Sequence, residues 1–173
     1  LGDDASDTIN IGSSGTSTFT GGTLAVDNIN VTSGIINIAS ILDLKTASVA
    51  RVAVSGGATL NFTETQTHNL KDIAVNASSL NIAATKTVTF AGTSQLSLTN
   101  ATLTNNGTIS VGTIGVQGSS ASTIINKGTL ATNGFATLIG GTNVNNTVNI
   151  YGSSGSVFTG NIDLDSTNGG ATD

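Results

Sequence analysis

The sequence predicts an all-β chain wound as a right-handed parallel β-helix of about eight short coils, at roughly twenty residues per coil. Three observations carry that reading. Apolar residues recur at alternate positions in very short runs, the mark of strands with one buried face. Clusters of Gly, Asn and Ser separate those runs every handful of residues and supply positive-φ turn positions. Charged residues are only 9% and aromatics 3% of the 173 residues, against about 25% charged in ordinary domains. The chain therefore fills its interior with small aliphatics and solvates itself with hydroxyls and amides.

The runs follow in order. Ile9 and Ile11 open the series, then Leu24 and Val26, Ile29 and Val31, Val52 and Val54, and Leu60 and Phe62. Leu80 and Ile82, Val88 and Phe90, Leu96 and Leu98, Ile109 and Val111, and Ile114 and Val116 continue it. Val148 and Ile150, then Ile162 and Leu164, close it. Many of these residues are β-branched, which suits a pleated surface. Residues 12–15, 56–57, 105–107, 133–134 and 140–141 are the turn clusters between them. The segment around Leu44 to Ala50 also admits a short helix, although Ile41, Leu42, Leu44, Val52 and Val54 fit two strands as well. A sandwich wants longer and fewer strands. A stacked coil wants short ones, and a narrow aliphatic core needs few aromatics. On this reading Ile11, Val26, Val31, Leu60, Phe62, Ile82, Phe90, Leu98, Val111 and Val116 face inward, and residues 1–173 form one β-helix segment.

The chain also echoes itself. Thr8 to Gly22 reappears as Thr147 to Asn161, with the two Gly-Ser-Ser-Gly turns starting at Gly12 and Gly152, and Val88 to Thr93 gives a shorter echo. In each, a Phe two residues before a Gly (or, at Phe90, just before Ala91-Gly92) precedes an alternating run. Phe19, Phe90 and Phe158 are expected at inward corners, with Phe19 and Phe158 equivalent. If fully buried, each would cost about 3–5 kcal/mol on truncation to Ala.

Thr18-Phe19-Thr20-Gly21-Gly22-Thr23 and Val157-Phe158-Thr159-Gly160-Asn161 resemble the Tyr/Phe-Thr-Gly-Gly-Thr core of the autotransporter-associated β-strand repeat. The stretch from Leu96 to Ser110 is similar in style to autotransporter and filamentous-haemagglutinin passengers, including the large rickettsial surface antigens. The style covers the whole chain and the motif only its two ends; a Gly-x-Leu strand does not regularly follow the motif here. The resemblance implies a parallel β-helix on a Gram-negative cell surface, extracellular, with residues 1–173 one segment of a longer surface protein. It implies no single activity.

Composition excludes several function classes. A net charge of −5 with Lys45, Arg51, Lys71, Lys86 and Lys127 scattered singly offers no phosphate-binding patch, so nucleic acid is not an expected partner. No apolar run approaches the ~20 residues of a membrane helix. The opening Leu1-Gly2-Asp3-Asp4 carries no targeting segment, which is expected outside this stretch. Zero Cys leaves no disulfide and no thiolate metal site.

Catalysis is not expected. Asp27, Asp43, Glu64 and Asp72 stand apart in sequence, whereas glycoside hydrolysis wants paired carboxylates. His68, the single histidine, reads as a solvated surface residue, since a triad is a matter of geometry. No cofactor is expected, calcium excepted. Asp3, Asp4 and Asp7 at the start, and Asp163, Asp165 and Asp173 at the end, are candidate oxygen ligands, of which Asp3, Asp4, Asp7, Asp163 and Asp165 form the calcium set. Calcium wants six to eight oxygens, and these runs match neither an EF-hand loop nor a calcium-binding nonapeptide. Thr18 and Thr20, Thr65 and Thr67, Thr85, Thr87 and Thr89, and Thr102 and Thr104 are outward Thr-x-Thr pairs of the kind that ice-binding β-helices stack into flat ladders. Their irregular spacing along the chain argues against such a ladder here.

The expected function is a structural stem or adhesin segment that extends and presents surfaces to host or neighbouring-cell ligands. The alternative is a self-assembling surface-layer or filament subunit, whose partners are further copies stacked coil on coil, end to end.

Overall fold

In the computed structural model, residues 7–44, 51–90, 94–117, 120–137 and 148–163 are described. They form strands β1 (Thr8–Ile11), β2 (Thr16–Val26), β3 (Asn28–Val31), β4 (Ile35–Leu44), β5 (Arg51–Val54) and β6 (Thr59–Phe62). Next come β7 (Gln66–His68), β8 (Asp72–Asn76), β9 (Ser79–Ile82), β10 (Thr87–Phe90), β11 (Gln95–Thr99) and β12 (Thr102–Asn105). The last are β13 (Thr108–Val111), β14 (Thr113–Gln117), β15 (Ser122–Asn126), β16 (Thr129–Thr137), β17 (Val148–Gly152) and β18 (Val157–Asp163). No helix occurs among the described residues; the possible helix up to Ala50 falls mainly outside them.

The strands make three sheets. The first runs β1-β3-β5-β8-β11-β14, the second β2-β4-β6-β9-β12-β15-β17, and the third β7-β10-β13-β16-β18. The strand pairs in all three are parallel. The chain visits the faces in rotation, so each strand pairs with the strand one turn away. Along the first sheet the register steps from Thr8 to Asn28, Arg51, Asp72, Gln95 and Thr113, making turns of 20, 23, 21, 23 and 18 residues. The described residues thus form an all-β parallel solenoid of about five turns.

Strand alternation sets the cross-section. Inward positions stack into columns one residue deep per turn. Ile29, Val52, Ile73, Leu96 and Ile114 make one column of the first sheet, and Ile36, Leu60, Leu80, Leu103 and Ile124 one of the second, all buried. All ten residues expected inside are buried.

β2 and β4 are longer than the short runs predict. Their pairing shifts register between Thr20 and Thr23, at the positive-φ pair Gly21 and Gly22. Each strand bends there and continues onto the next side. The third side of the early turns is therefore built from the ends of β2 and β4, and Asn69 beyond β7 joins it by exchanging backbone hydrogen bonds with Leu42 and Leu44.

The echo is placed differently from expectation. Phe19 lies on the second sheet opposite Ile38, whereas Phe158 lies on the third opposite Leu130. The two are not equivalent. Phe19 is half-buried against the core, and Phe158 is 37% exposed at the last described strand. Only Phe90 is fully buried, at 1% exposure, so the full cavity cost attaches to it and not to the other two. The Gly12 turn connects first to second sheet and the Gly152 turn second to third; the same local sequence turns a different corner.

Candidate functional site

Two interior polar sites and three outer faces hold the chemistry. The first interior site lies where the second sheet turns towards the third. Asn105 and Asn126 occupy the same column, one turn apart, and neither has any exposure. Asn105 Nδ2 donates to Asn126 Oδ1 and to the Thr129 carbonyl, each at 2.8 Å. Asn126 Nδ2 donates to the Val157 carbonyl at 2.9 Å. Each side-chain oxygen accepts the amide two residues on, from Gly107 and Gly128. A buried amide is tolerated when it is satisfied in this way. The glycines are obligatory because the corners stack backbone on backbone: a Cβ on Gly128 would overlap the Gly107 carbonyl, and one on Gly107 the Lys86 carbonyl.

The second interior site is His68, which corrects the expectation of a surface residue: it is 1% exposed. Its ring lies between Phe62 and Phe90, with centroids at 4.9 and 5.7 Å, and the two Phe rings meet edge-on at 5.3 Å. The Leu42 amide donates to His68 Nδ1 at 3.1 Å. Gln66, the other inward residue of β7, donates Nε2 to the Ala39 carbonyl at 2.8 Å. These two side chains thus satisfy backbone groups of β4 beyond the Asn69 pairing, and capping them is the reason polar residues face inward here. His68 Nε2 and Gln66 Oε1 are buried without a partner.

Burial lowers the His68 pKa to about 4 from 6.5. A proton on Nδ1 would also set N–H against the Leu42 N–H. Because the folded value lies below the unfolded one, the unfolded chain binds the extra proton first. The contribution is fully present above about pH 6.5 and is lost as pH falls towards 4, amounting to about 3 kcal/mol in all. Asp72 works in the opposite sense: burial raises its pKa, with Arg51 beside it pulling the other way, so its contribution favours acid. In urea unfolding at pH 7 and pH 4 the wild type should therefore lose more stability, or gain less, on acidification than His68→Gln, in which the Asp72 contribution is unchanged. The same pH dependence in both proteins would refute the assignment.

The outer faces differ in chemistry. On the first, Arg51, Asp72 and Gln95 stand in one column, and Asn30 donates to Asn10 at 2.9 Å. On the second, Asn81, Asn61, Asn37 and Thr18 form a ladder in which each amide donates to the preceding residue's oxygen, at 2.9, 2.8 and 3.3 Å. On the third, Thr87, Thr108 and Thr129 align in one column, and Thr67, Thr89, Ser110, Ala131 and Thr159 in the next. Thr65 continues the first column, its Oγ1 accepting the Thr87 amide at 3.0 Å; Val157 ends it.

The acidic residues are engaged singly. Asp27 Oδ2 accepts the Asp7 amide at 2.9 Å, and the Asp7 carbonyl accepts the amides of Asp27 and Asn28. Asp43 accepts from Asn69 at 2.8 Å. Glu64 pairs with Lys86 at 2.8 Å at an exposed corner, a contact contributing at most about 1 kcal/mol. Among the described residues no three His, Cys, Asp or Glu side chains gather as a metal site. Of the calcium set, Asp3, Asp4 and Asp165 lie outside the described residues, as does Asp173. Asp163 is described only as the end of β18, paired with Thr137, which leaves Asp7 with a described setting. No described helix is long and apolar enough to cross a membrane.

The fold and its faces define a three-sided parallel β-solenoid with a largely aliphatic core and with amide and hydroxyl ladders on two of its outer faces. Comparison with protein-family models, curated proteins and solved structures finds no match for the chain.

Proposed function

We propose that this chain is a stem segment of a secreted, surface-displayed bacterial protein, extending and presenting surfaces for host or neighbouring-cell ligands. One observation carries the reading. Two inward columns stay apolar to the last described strands, where Ile150 and Phe158 hold core positions yet are 40% and 37% exposed. A column ending on apolar side chains suits further coils stacked upon it. The resemblance to autotransporter passengers supplies the surface location. A right-handed winding belongs to the same proposal, because right-twisted strands in parallel crossovers favour it. So does a total near eight coils, from roughly twenty residues per coil across the whole chain. Calcium held at the junctions by Asp3, Asp4, Asp7, Asp163 and Asp165 is a further part of it, tested by whether a chelator lowers the unfolding midpoint.

Antibodies raised against the purified chain test the location. They should label intact cells of the source organism, and labelling only after permeabilisation would overturn the reading. The same exposed column end favours a second reading, a surface-layer or filament subunit. Light scattering separates the two: polymer growing with concentration supports the subunit, and a persistent monomer the stem.

A further inference from the structure

We propose that the outer face of the third sheet is an ice-binding surface, one that holds ordered water in a fixed lattice. The proposal rests on the register of that sheet and not on the stem reading. Thr87, Thr108 and Thr129 occupy one outward column, and Thr67, Thr89 and Ser110 the parallel one. Pairing from β7 through β13 to the start of β16 is free of bulges; the only shift in this sheet comes after Ala131. The hydroxyls therefore repeat about 4.8 Å apart between strands and about 6.7 Å apart along each strand. These two spacings lie close to the two oxygen repeats of a prism face of hexagonal ice. On this sheet the threonines recur every 21 or 22 residues; the spacing in sequence is irregular because other Thr-x-Thr pairs, such as Thr102 and Thr104, belong to the second sheet.

Chemistry narrows the ligand further. None of the outward positions in these two columns is charged, and the nearest ion pair, Lys86 with Glu64, is closed on itself at the corner. Threonine is stiff at χ1, so hydroxyl and methyl are held in place before the ligand arrives, which lowers the ordering cost of binding. The other faces lack this combination. The first carries Arg51 and Asp72; the second has one hydroxyl column, Thr59, Ser79, Thr102 and Thr123, but the column beside it is the amide ladder, already bonded to itself. A sugar-binding face would present aromatic rings, but Phe90, the aromatic of β10, is buried.

The test uses the full chain and three variants checked for folding by their melting curves. The wild type should depress freezing below melting, shape growing ice crystals and partition into a slowly growing ice front. Thr108→Tyr, in the middle of the array, should lose most of that activity. Ala74→Tyr, outward on the first sheet, should retain it. Should Thr108→Tyr fail to fold, Thr67→Tyr at the exposed edge takes its place. A wild type without freezing hysteresis overturns the proposal, as does equal loss in Thr108→Tyr and Ala74→Tyr. Retention on crystalline cellulose or chitin without hysteresis overturns it in favour of a polysaccharide.

Discussion

Asn126→Ala is expected to destabilise the solenoid by about 3 kcal/mol or more, because each buried polar group left unpaired costs about 1–3 kcal/mol. Three groups lose their partner together: one Nδ2 hydrogen of Asn105, the Gly128 amide and the Val157 carbonyl. Asn105 and Gly128 belong to a corner where backbone stacks on backbone, leaving little room for water to replace the amide; Val157 is exposed, so its carbonyl can turn to water and adds least to the loss. Denaturant unfolding measures the total, and hydrogen exchange at Gly128 locates it. A loss below about 1 kcal/mol, within the range of one ordinary hydrogen bond, would show that the Asn pair is incidental to the corner.

Phe62→Ala should cost about 3–5 kcal/mol, the usual range for a fully buried aromatic whose cavity cannot collapse. Phe62 has no exposure and touches both His68 and Phe90 across the join of the second and third sheets. The loss should exceed simple transfer of the ring, because His68 loses a wall of its pocket and water gains access to its unpaired Nε2. The same variant should therefore raise the His68 pKa towards 6.5 and reduce the acid sensitivity of folding. Titration of the His68 ring by NMR reads this directly. A pKa unchanged by Phe62→Ala would mean that the aromatic wall does not shield the imidazole. Solenoids can open locally, so exchange protection around β6, β7 and β10 should accompany the bulk measurement.

Much of the cross-section was legible because alternation is local. Leu60 and Phe62, or Leu96 and Leu98, declare their inward face without reference to any other turn. What failed to show depends on contacts between turns. His68 sits in a polar stretch, and its burial is fixed by the Leu42 amide, 26 residues earlier. Asn105 and Asn126 read as ordinary turn residues. Their signal was present, however: Asn105-Asn106-Gly107-Thr108 and Asn126-Lys127-Gly128-Thr129 lie 21 residues apart, a spacing of one turn. The Phe19 and Phe158 echo misled for the converse reason. Similar local sequence specifies a strand and a corner, but not which of three faces they join. The threonine ladder was hidden because the Thr-x-Thr pairs belong to two faces: Thr18, Thr102 and Thr104 lie on the second sheet, and Thr67, Thr87 and Thr108 on the third, where the step is 21 or 22 residues.

That indifference of local sequence to face bears on how such a chain lengthens over generations. Gly12 to Gly15 and Gly152 to Gly155 perform the same manoeuvre at different corners, one side of the triangle apart. A duplicated segment therefore need not span a whole number of turns to be accommodated. It can slip by a third of a turn and still bury its alternate residues, because every side asks for the same short strand and small corner. The heritable module is then the side rather than the coil. Insertions of a single strand and corner should be tolerated within this architecture, at the cost of rotating every downstream ladder onto a neighbouring face.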